Sequence, residues 1–417
     1  MYIPYTNRFV CKMKYIVQKF GGTSLGNVDK IHNAARRVKS EVSKGYRVAV
    51  VVSAMAGMTD RFVKSVRSVN DDSDESEYDV VVSSGEQVSS GLMALALKNI
   101  GVPARSFLGW QLPIITDSNH KKARVKEVVT KEILKTFSEK KVAVIAGFQG
   151  VNDKNRITTL GRGGSDITAV VLASALKAKR CDIFTDVRGI YTCDPRIVKN
   201  AKKLDKITYE EMVEMSSLGS KVLHSRSVEV AMKEKVRLHV LSSFSNEDGT
   251  MVVDESERLE KQVVSGIACN ANESKITLIG ISDKPGIAAK IFGPLSNANI
   301  NVDMIVQNVS ADGSLTDLTF TVDRGDLNKV VSVLNQRKKS IDFKRLMADS
   351  SVAKISIVGI GMRSYPGVAQ NMFKTLAKSK INILVISTSE IKISVLIARN
   401  KAKLAQRALH KAFGLQK

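Results

Sequence analysis

Residues 15–24 read YIVQKFGGTS. A run of strand-forming residues stops at Phe20, two glycines follow, and apolar residues then recur at Val28, Ile31, Ala35, Val38 and Val42. Spacings of three and four mark one face of a helix. The stretch therefore predicts a strand over 15–20, a glycine turn, and a helix that begins near Asn27. The same rhythm continues outward. Strands are expected at 47–53, 80–82, 141–146 and 181–185, and helices at 91–99 and 167–177. Strands that alternate with helices predict an α/β fold, with a mostly parallel sheet covered by helices on both faces. The acidic run 71–79 reads as a solvated loop.

The second half repeats itself. KITLIGISDKPGIAAKIF at 275–292 matches KISIVGIGMRSYPGVAQNMF at 354–373, and ANINVDMI at 298–305 matches SKINILVI at 379–386. Each copy reads strand, Pro-Gly turn, helix, strand, strand, with room for a second helix, which is a small βαββαβ unit. Residues 246–265 are charged and rich in turn formers and read as a linker. The expected organisation is an extension at 1–12, an α/β domain at 13–245, the linker, and small domains at 266–345 and 346–417.

Composition sets outer limits. The chain has 417 residues, 43% hydrophobic and 25% charged, ordinary values for a globular protein of two or three domains. No apolar run approaches the roughly 20 residues that span a bilayer, so no membrane partner is expected. The opening MYIPYTNRFVCK lacks the apolar core of a signal peptide. Cys11, Cys181, Cys193 and Cys269 show no CxxC spacing and no accompanying histidine cluster. They read as reduced thiols of a cytoplasmic protein without a protein-held metal site. The formal net charge is +23. The lysines are spread along the chain, with no dense basic block and no basic-aromatic interleaving. We read a solvated basic surface that suits anionic substrates, and expect no nucleic-acid partner.

Four stretches carry chemistry. In QKFGGTS, glycines at a helix start let backbone N–H groups approach an anion, and Lys19 adds a full charge. An ordinary strand–helix turn has the same look. TTLGRGGSDITAV, 158–170, again opens a helix from a glycine loop, with Ser165 or Asp166 as the expected N-cap. Arg162 suits a carboxylate or phosphate, or is a surface arginine beside a capped helix. DIFTDVRGIYTCDPR, 182–196, leaves a strand at Thr185 and Asp186 and offers Tyr191, Asp194 and Arg196 where α/β sheets bind ligands; a plain polar loop is the alternative. SSGEQVSSG, 83–91, sets Glu86 among small residues, either to take an ammonium group or as surface charge. Ser-His-Asp and protein-kinase catalytic signatures are lacking, and His224 and His239 read as structural.

VQKFGGTS, VVSAMAGMTD, SSGEQVSSGLMA, AGFQGV, TTLGRGGSDITAV, FTDVRGIYTCDPR, ITYEEMVEMSSLGSKVLHSRSVE and GISDKPGIAAKIF occur here in the order found in aspartate kinases. The chain resembles that family from Met13 to about Gly414, most closely the lysine-pathway type with two C-terminal ACT domains. The resemblance implies an amino-acid-kinase fold and a reaction in which ATP and L-aspartate give ADP and 4-phospho-L-aspartate, with Mg²⁺ bound to the nucleotide. This is the first step toward lysine, threonine, methionine and diaminopimelate. The nucleophile would be the substrate's own carboxylate, already ionised at neutral pH with a pKa of about 3.9. No general base is then needed, and what remains is positioning and charge stabilisation.

Residue roles follow from the same resemblance. Lys19 is expected at the transferred phosphate, with Gly21, Gly22 and Thr23 as its cradle, and Asp166 as a second catalytic residue. Ser53 should lie near the reacting groups. Thr59, Glu86, Arg162, Gly163, Gly164 and Ser165 match the aspartate site, with Glu86 facing the ammonium and Arg162 the α-carboxylate. Thr185, Asp186, Tyr191, Asp194, Arg196 and Lys221 match the nucleotide pocket. Asp283, Pro285, Gly286, Asn301, Gln307 and Asn382 match effector positions for lysine or threonine in ACT domains, which would also join subunits into a homo-oligomer. The chain departs from the family at Arg188, where an acidic residue is common, and at Leu384.

Overall fold

The computed structural model describes residues 14–70, 74–218, 222–257, 263–309, 315–363 and 365–416. Residues 1–12, Cys11 and Lys221 lie outside them. Among the described residues, 14–190, 203–213 and 222–257 form one compact unit, and 191–202, 214–218 and those from 263 onward form another.

The first unit is built on twelve strands: β1 (Tyr15–Phe20), β2 (Arg47–Val52), β3 (Ala104–Phe107), β4 (Ile114–Thr116), β5 (Val125–Val128), β6 (Val142–Ala146), β7 (Gln149–Val151), β8 (Ile157–Thr159), β9 (Cys181–Thr185), β10 (Lys206–Thr208), β11 (Leu238–Ser242) and β12 (Thr250–Val253). Eight of them make one sheet in the order β10-β12-β11-β9-β1-β2-β6-β3. From β11 to β3 every neighbouring pair is parallel. The central strands RVAVVV and VAVIA are apolar at successive positions and almost wholly buried, as strands covered on both faces must be. Parallel strands in this order bring the carboxyl ends of β1, β2, β6, β9 and β11 to one edge. A smaller sheet, β5-β4-β7-β8, stands beside them.

The helix after the first glycine turn is Val28–Ser43, capped by the Asn27 side chain on the Lys30 N–H at 3.0 Å. Ile31, Ala35 and Val38 pack into the core, whereas Val28 is exposed. Residues 80–82 are helical, not a strand: they end the helix Glu75–Val82, and Ser84–Asn99 follows at once. Val80–Val82 has strand propensity, but Asp74 caps the Ser76 N–H and starts a helix first. The acidic run is thus no solvated loop at its end, since Asp79 is fully buried. Together Glu75–Asn99 is long and apolar enough to cross a membrane, and 56% of its most apolar window is buried within the fold. The expected linker at 246–265 contains β12, which pairs with β11 and β10. The charged turn formers on either side of TMVV hid that strand's role in the sheet.

The second unit holds one six-stranded antiparallel sheet in the order β14-β15-β13-β16-β18-β17. Its strands are β13 (Gly266–Ser282), β14 (Val302–Val309), β15 (Leu315–Asp323), β16 (Arg345–Val358), β17 (Ile383–Thr388) and β18 (Lys392–Ala398). β13 and β16 run side by side along their length. The helices Ile287–Asn297 and Leu327–Gln336 pack with β13 and β15 in one apolar core; Val368–Lys378 and Ala402–Ala412 pack with β16 and β18 in another. Gly286 and Gly367 precede the first helix of each copy with φ of +89° and +91°, the left-handed backbone that the repeated Pro-Gly supplies.

Candidate active site

Lys19 is the last residue but one of β1, flanked by Val51 of β2 and Ile183 of β9. Its neighbours in register fix the backbone, so the ammonium is aimed from a rigid strand end. That ammonium lies 2.5 Å from Asp166 Oδ1, and both side chains are about nine-tenths buried, 12% and 11% exposed. Asp166 is therefore not the N-cap. The helix Gly164–Ala175 is entered through Gly163 at φ +70°, and Asp166 stands in its first turn, turned toward Lys19. Ser165 sits against the end of β6: a Cβ on Gly147 would come 2.8 Å from Ser165 Oγ.

The glycine turn is stitched on both sides. Gly21 N–H donates to Phe184 O at 3.2 Å, and Ala56 N–H donates to Gly22 O at 3.2 Å. A Cβ on Gly22 would meet Ala54 O at 2.8 Å, so the second glycine is required by close packing. Gly21 has thus already used its N–H. Gly22 and Thr23 begin the short 3-10 turn Gly22–Leu25, whose first N–H groups the turn cannot pair. Under the turn, Ser243 and Ser24 hydroxyls meet at 2.5 Å.

Glu86 is buried in the first turn of Ser84–Asn99. Its Oε1 accepts the Ala54 N–H at 3.0 Å, while Oε2 is buried with no hydrogen-bond partner among the described residues. Burial pushes its carboxyl up to about 7, against the Ala54 N–H and the Lys19 charge, which pull the other way. The sequence marked Glu86 but not Ala54, whose backbone holds it; the small residue Gly85 was the available signal, because a Cβ there would lie 2.7 Å from Ala54 Cβ.

Arg162 is exposed in the loop before Gly163 and makes no ion pair among the described residues. His224 packs so closely that a Cβ on Gly163 would lie 2.3 Å from its own Cβ. Burial lowers the His224 pKa, which suits the structural reading. Ser53, at the end of β2, donates its N–H to Phe20 O at 3.1 Å; Thr59 lies further on, in the helix Met58–Val69. Thr185 ends β9 and Asp186 follows it, the Thr185 hydroxyl donating to Asp186 at 3.1 Å. Tyr191, Asp194 and Arg196 belong to the second unit, where Arg196 Nη2 pairs with Asp194 at 2.8 Å. Arg188 forms an exposed ion pair with Glu247 at 2.9 Å, and Leu384 is exposed on β17. Below the strand ends, His239 stands 3.6 Å from buried Asp182, which also accepts from Arg180 and Gln18, so it is structural.

A lysine, a glycine turn and buried carboxylates thus gather at the carboxyl ends of one parallel sheet, and the family match gives this arrangement its class, an amino acid kinase. Residues 14–242 match the model of the amino acid kinase family, and 276–337 and 355–413 match that of the ACT domain. The aspartate kinase of Pseudomonas putida is 52% identical over 404 residues, covering 97% of this chain and 98% of that protein. The aspartokinase of Helicobacter pylori strain 26695 is 47% identical over 407 residues, covering 96% and 99%. In structure, Escherichia coli aspartokinase III in complex with aspartate and ADP superposes with a TM-score of 0.81 at 27% identity, covering 96% of this chain and 99% of that one. The chain belongs to the aspartate kinase family, and it is a kinase with ACT domains.

Proposed function

We propose that this enzyme transfers the γ-phosphoryl group of ATP to the side-chain carboxylate of L-aspartate, with each site residue in the role its geometry suits. The observation that carries the substrate assignment is Glu86: one oxygen is fixed by Ala54, and the other is buried without a partner. A substrate ammonium supplies the missing donor and charge. Arg162, exposed and without an ion pair among the described residues, takes the α-carboxylate through two parallel hydrogen bonds, with Gly163, Gly164 and Ser165 as the wall beside it. Thr59 and Ser53 line the aspartate side. The β-carboxylate attacks in line, and the oxygen bridging to ADP leaves with the electron pair. Lys19 and the N–H groups of Gly22 and Thr23 stabilise charge on the transferred group. Thr185, at the end of β9, and Asp186 beside it hold the nucleotide. Asp166, beside Lys19, would be the carboxylate to hold Mg²⁺ brought with the nucleotide, which would supply neutralisation of phosphate charge.

Residues 13–245, with β12, act as the catalytic domain, and 266–345 and 346–417 as ACT domains that bind lysine, threonine or both. Asp283, Pro285, Gly286, Asn301 and Asn382 are exposed there, and Gln307 Nε2 reaches Asp283 at 3.5 Å. The Escherichia coli enzyme has also been crystallised with lysine and aspartate. The edge strands carry exposed Ile305 and Val309 on β14 and Leu384 and Ile386 on β17, which supports assembly into a homo-oligomer. The setting is the cytoplasm, and the product feeds lysine, threonine and diaminopimelate synthesis. Trapping the acyl phosphate with hydroxylamine tests both halves: aspartyl hydroxamate should form from ATP and L-aspartate and fall when lysine or threonine is added. Hydroxamate insensitive to both would leave the kinase and overturn the effector assignment.

A further inference from the structure

One buried carboxylate of the first unit lies outside the reaction. Asp79, on the helix Glu75–Val82, is fully buried, and among the described residues no lysine or arginine side chain pairs with it. Its oxygens instead accept the Thr159 hydroxyl at 2.6 Å, the Thr159 N–H at 2.9 Å and the Lys121 N–H at 3.1 Å, and His120 Nδ1 lies 2.8 Å away. A carboxylate removed from water is costly unless its lone pairs are filled. Here they are filled from two different segments.

Asp79 and its partners lie on segments that lead to the two ends of the aspartate pocket. The helix bearing Asp79 runs through Ser83 directly into the helix bearing Glu86. Thr159 ends β8, just before the loop that carries Arg162. Lys121 packs on that loop as well: a Cβ on Gly161 would lie 2.9 Å from its carbonyl oxygen. The loop has a second, independent tether, because Arg226 donates to Leu160 O at 2.8 Å and to Ala123 O at 2.7 Å. Loss of the Asp79 contacts would therefore loosen the loop relative to Glu86 rather than release it.

We propose that Asp79 is a positioning residue for aspartate: through Thr159 and Lys121 it sets the distance between Glu86 and the Arg162 loop, so that one substrate meets both. The proposal rests on the assignment of Glu86 and Arg162 given above. Kinetics of the full-length enzyme, read as hydroxamate, would test it in Thr159→Val, Thr159→Ser and Asp79→Asn beside Arg162→Ala and Glu86→Gln. Removing the Thr159 hydroxyl should raise the aspartate KM about tenfold while the ATP KM stays within about twofold, the loss expected for one hydrogen bond to a charged group. Thr159→Ser should restore the wild-type value, and Asp79→Asn should exceed Thr159→Val. If Asp79→Asn does not fold, the Thr159 pair decides alone. An aspartate KM unchanged in Thr159→Val, or one that rises together with the ATP KM, would reduce Asp79 to a fold brace and overturn the proposal. Unchanged aspartate KM in Arg162→Ala and Glu86→Gln would overturn the pocket assignment itself, and this proposal with it.

Discussion

The Lys19 ammonium and an Asp166 carboxylate oxygen stand 2.5 Å apart, joining the end of β1 to the first turn of Gly164–Ala175. Before nucleotide binds, Asp166 balances a cation that is largely withdrawn from water. Phosphate oxygens can take over that balance, which makes the lysine charge available where negative charge develops. Lys19→Ala should therefore lower kcat by roughly a thousandfold, the scale of a lost transition-state contact, with little change in thermal midpoint. Asp166→Asn should keep the fold and lower kcat less. Turnover near wild type in Lys19→Ala, measured as ADP release, would remove Lys19 from the mechanism.

Glu86 makes a prediction in pH. Burial raises its carboxyl from 4.5 to about 7, so between those values the folded chain holds a proton that the unfolded chain has released. Stability must then fall as pH rises through that window. Glu86→Gln cannot titrate, so its stability should gain on the wild type between about pH 5 and about pH 8, by up to roughly 3 kcal/mol. Chemical denaturation of the two proteins at both pH values measures the gap. A constant gap would mean that Glu86 is ionised throughout. Activity should run the other way: in the wild type the aspartate KM rises as pH drops below 7 and the ammonium loses its counter-charge.

Much of this was legible in the chain. The strands Tyr15–Phe20 and Cys181–Thr185 have the limits the sequence suggests, and their buried polar members pair across the sheet, Gln18 with Asp182 at 3.2 Å. The Pro-Gly repeat marked a turn before the first helix of each copy, and the structure has one there, with both glycines left-handed. What failed was tertiary in origin. Nothing local distinguishes Asp79, buried and fully hydrogen-bonded, from its acidic neighbours, and nothing local shows that Thr250–Val253 completes a sheet begun over two hundred residues earlier. The N-cap at 163 was missed for a similar reason. Ser165 and Asp166 have the right chemistry for capping, but Gly163 makes the turn and leaves Asp166 to Lys19.

Gly163 itself can be tested. Its φ of +70° disfavours any side chain, and a Cβ would collide with His224 at 2.3 Å. The left-handed backbone alone costs about 1–2 kcal/mol with a Cβ. Gly163→Ala should lower stability by at least that much and shift the Arg162 loop, so the aspartate KM should rise more than the ATP KM. Equal effects on both substrates would place the damage outside the aspartate pocket.

In the second unit the sharpest test is Lys354, a buried lysine on β16 that lies 3.1 Å from Glu273 on β13 and pairs with Asp303 on β14. Asn270 Nδ2 donates to the same Glu273 oxygen, Oε1, at 2.8 Å. Burial alone would raise the Asp303 carboxyl, but the Lys354 charge and hydrogen bond hold it below the ordinary value. Glu273 is only 4% exposed, and without Lys354 it becomes a buried charge with no counter-ion. Lys354→Met should therefore lower the unfolding free energy of this unit by about 3 kcal/mol. Since an acid with a lowered folded pKa stabilises above its unfolded value, the Asp303 contribution is present at neutral pH and lost as pH falls through the lowered value. The wild type should lose its advantage over Lys354→Met in acid. Adding Glu273→Gln to Lys354→Met should recover much of the loss, because the uncompensated charge is then gone. Urea unfolding of the three proteins at neutral and acid pH decides it: equal midpoints for wild type and Lys354→Met at neutral pH would show that the cluster contributes no net stability to the sheet.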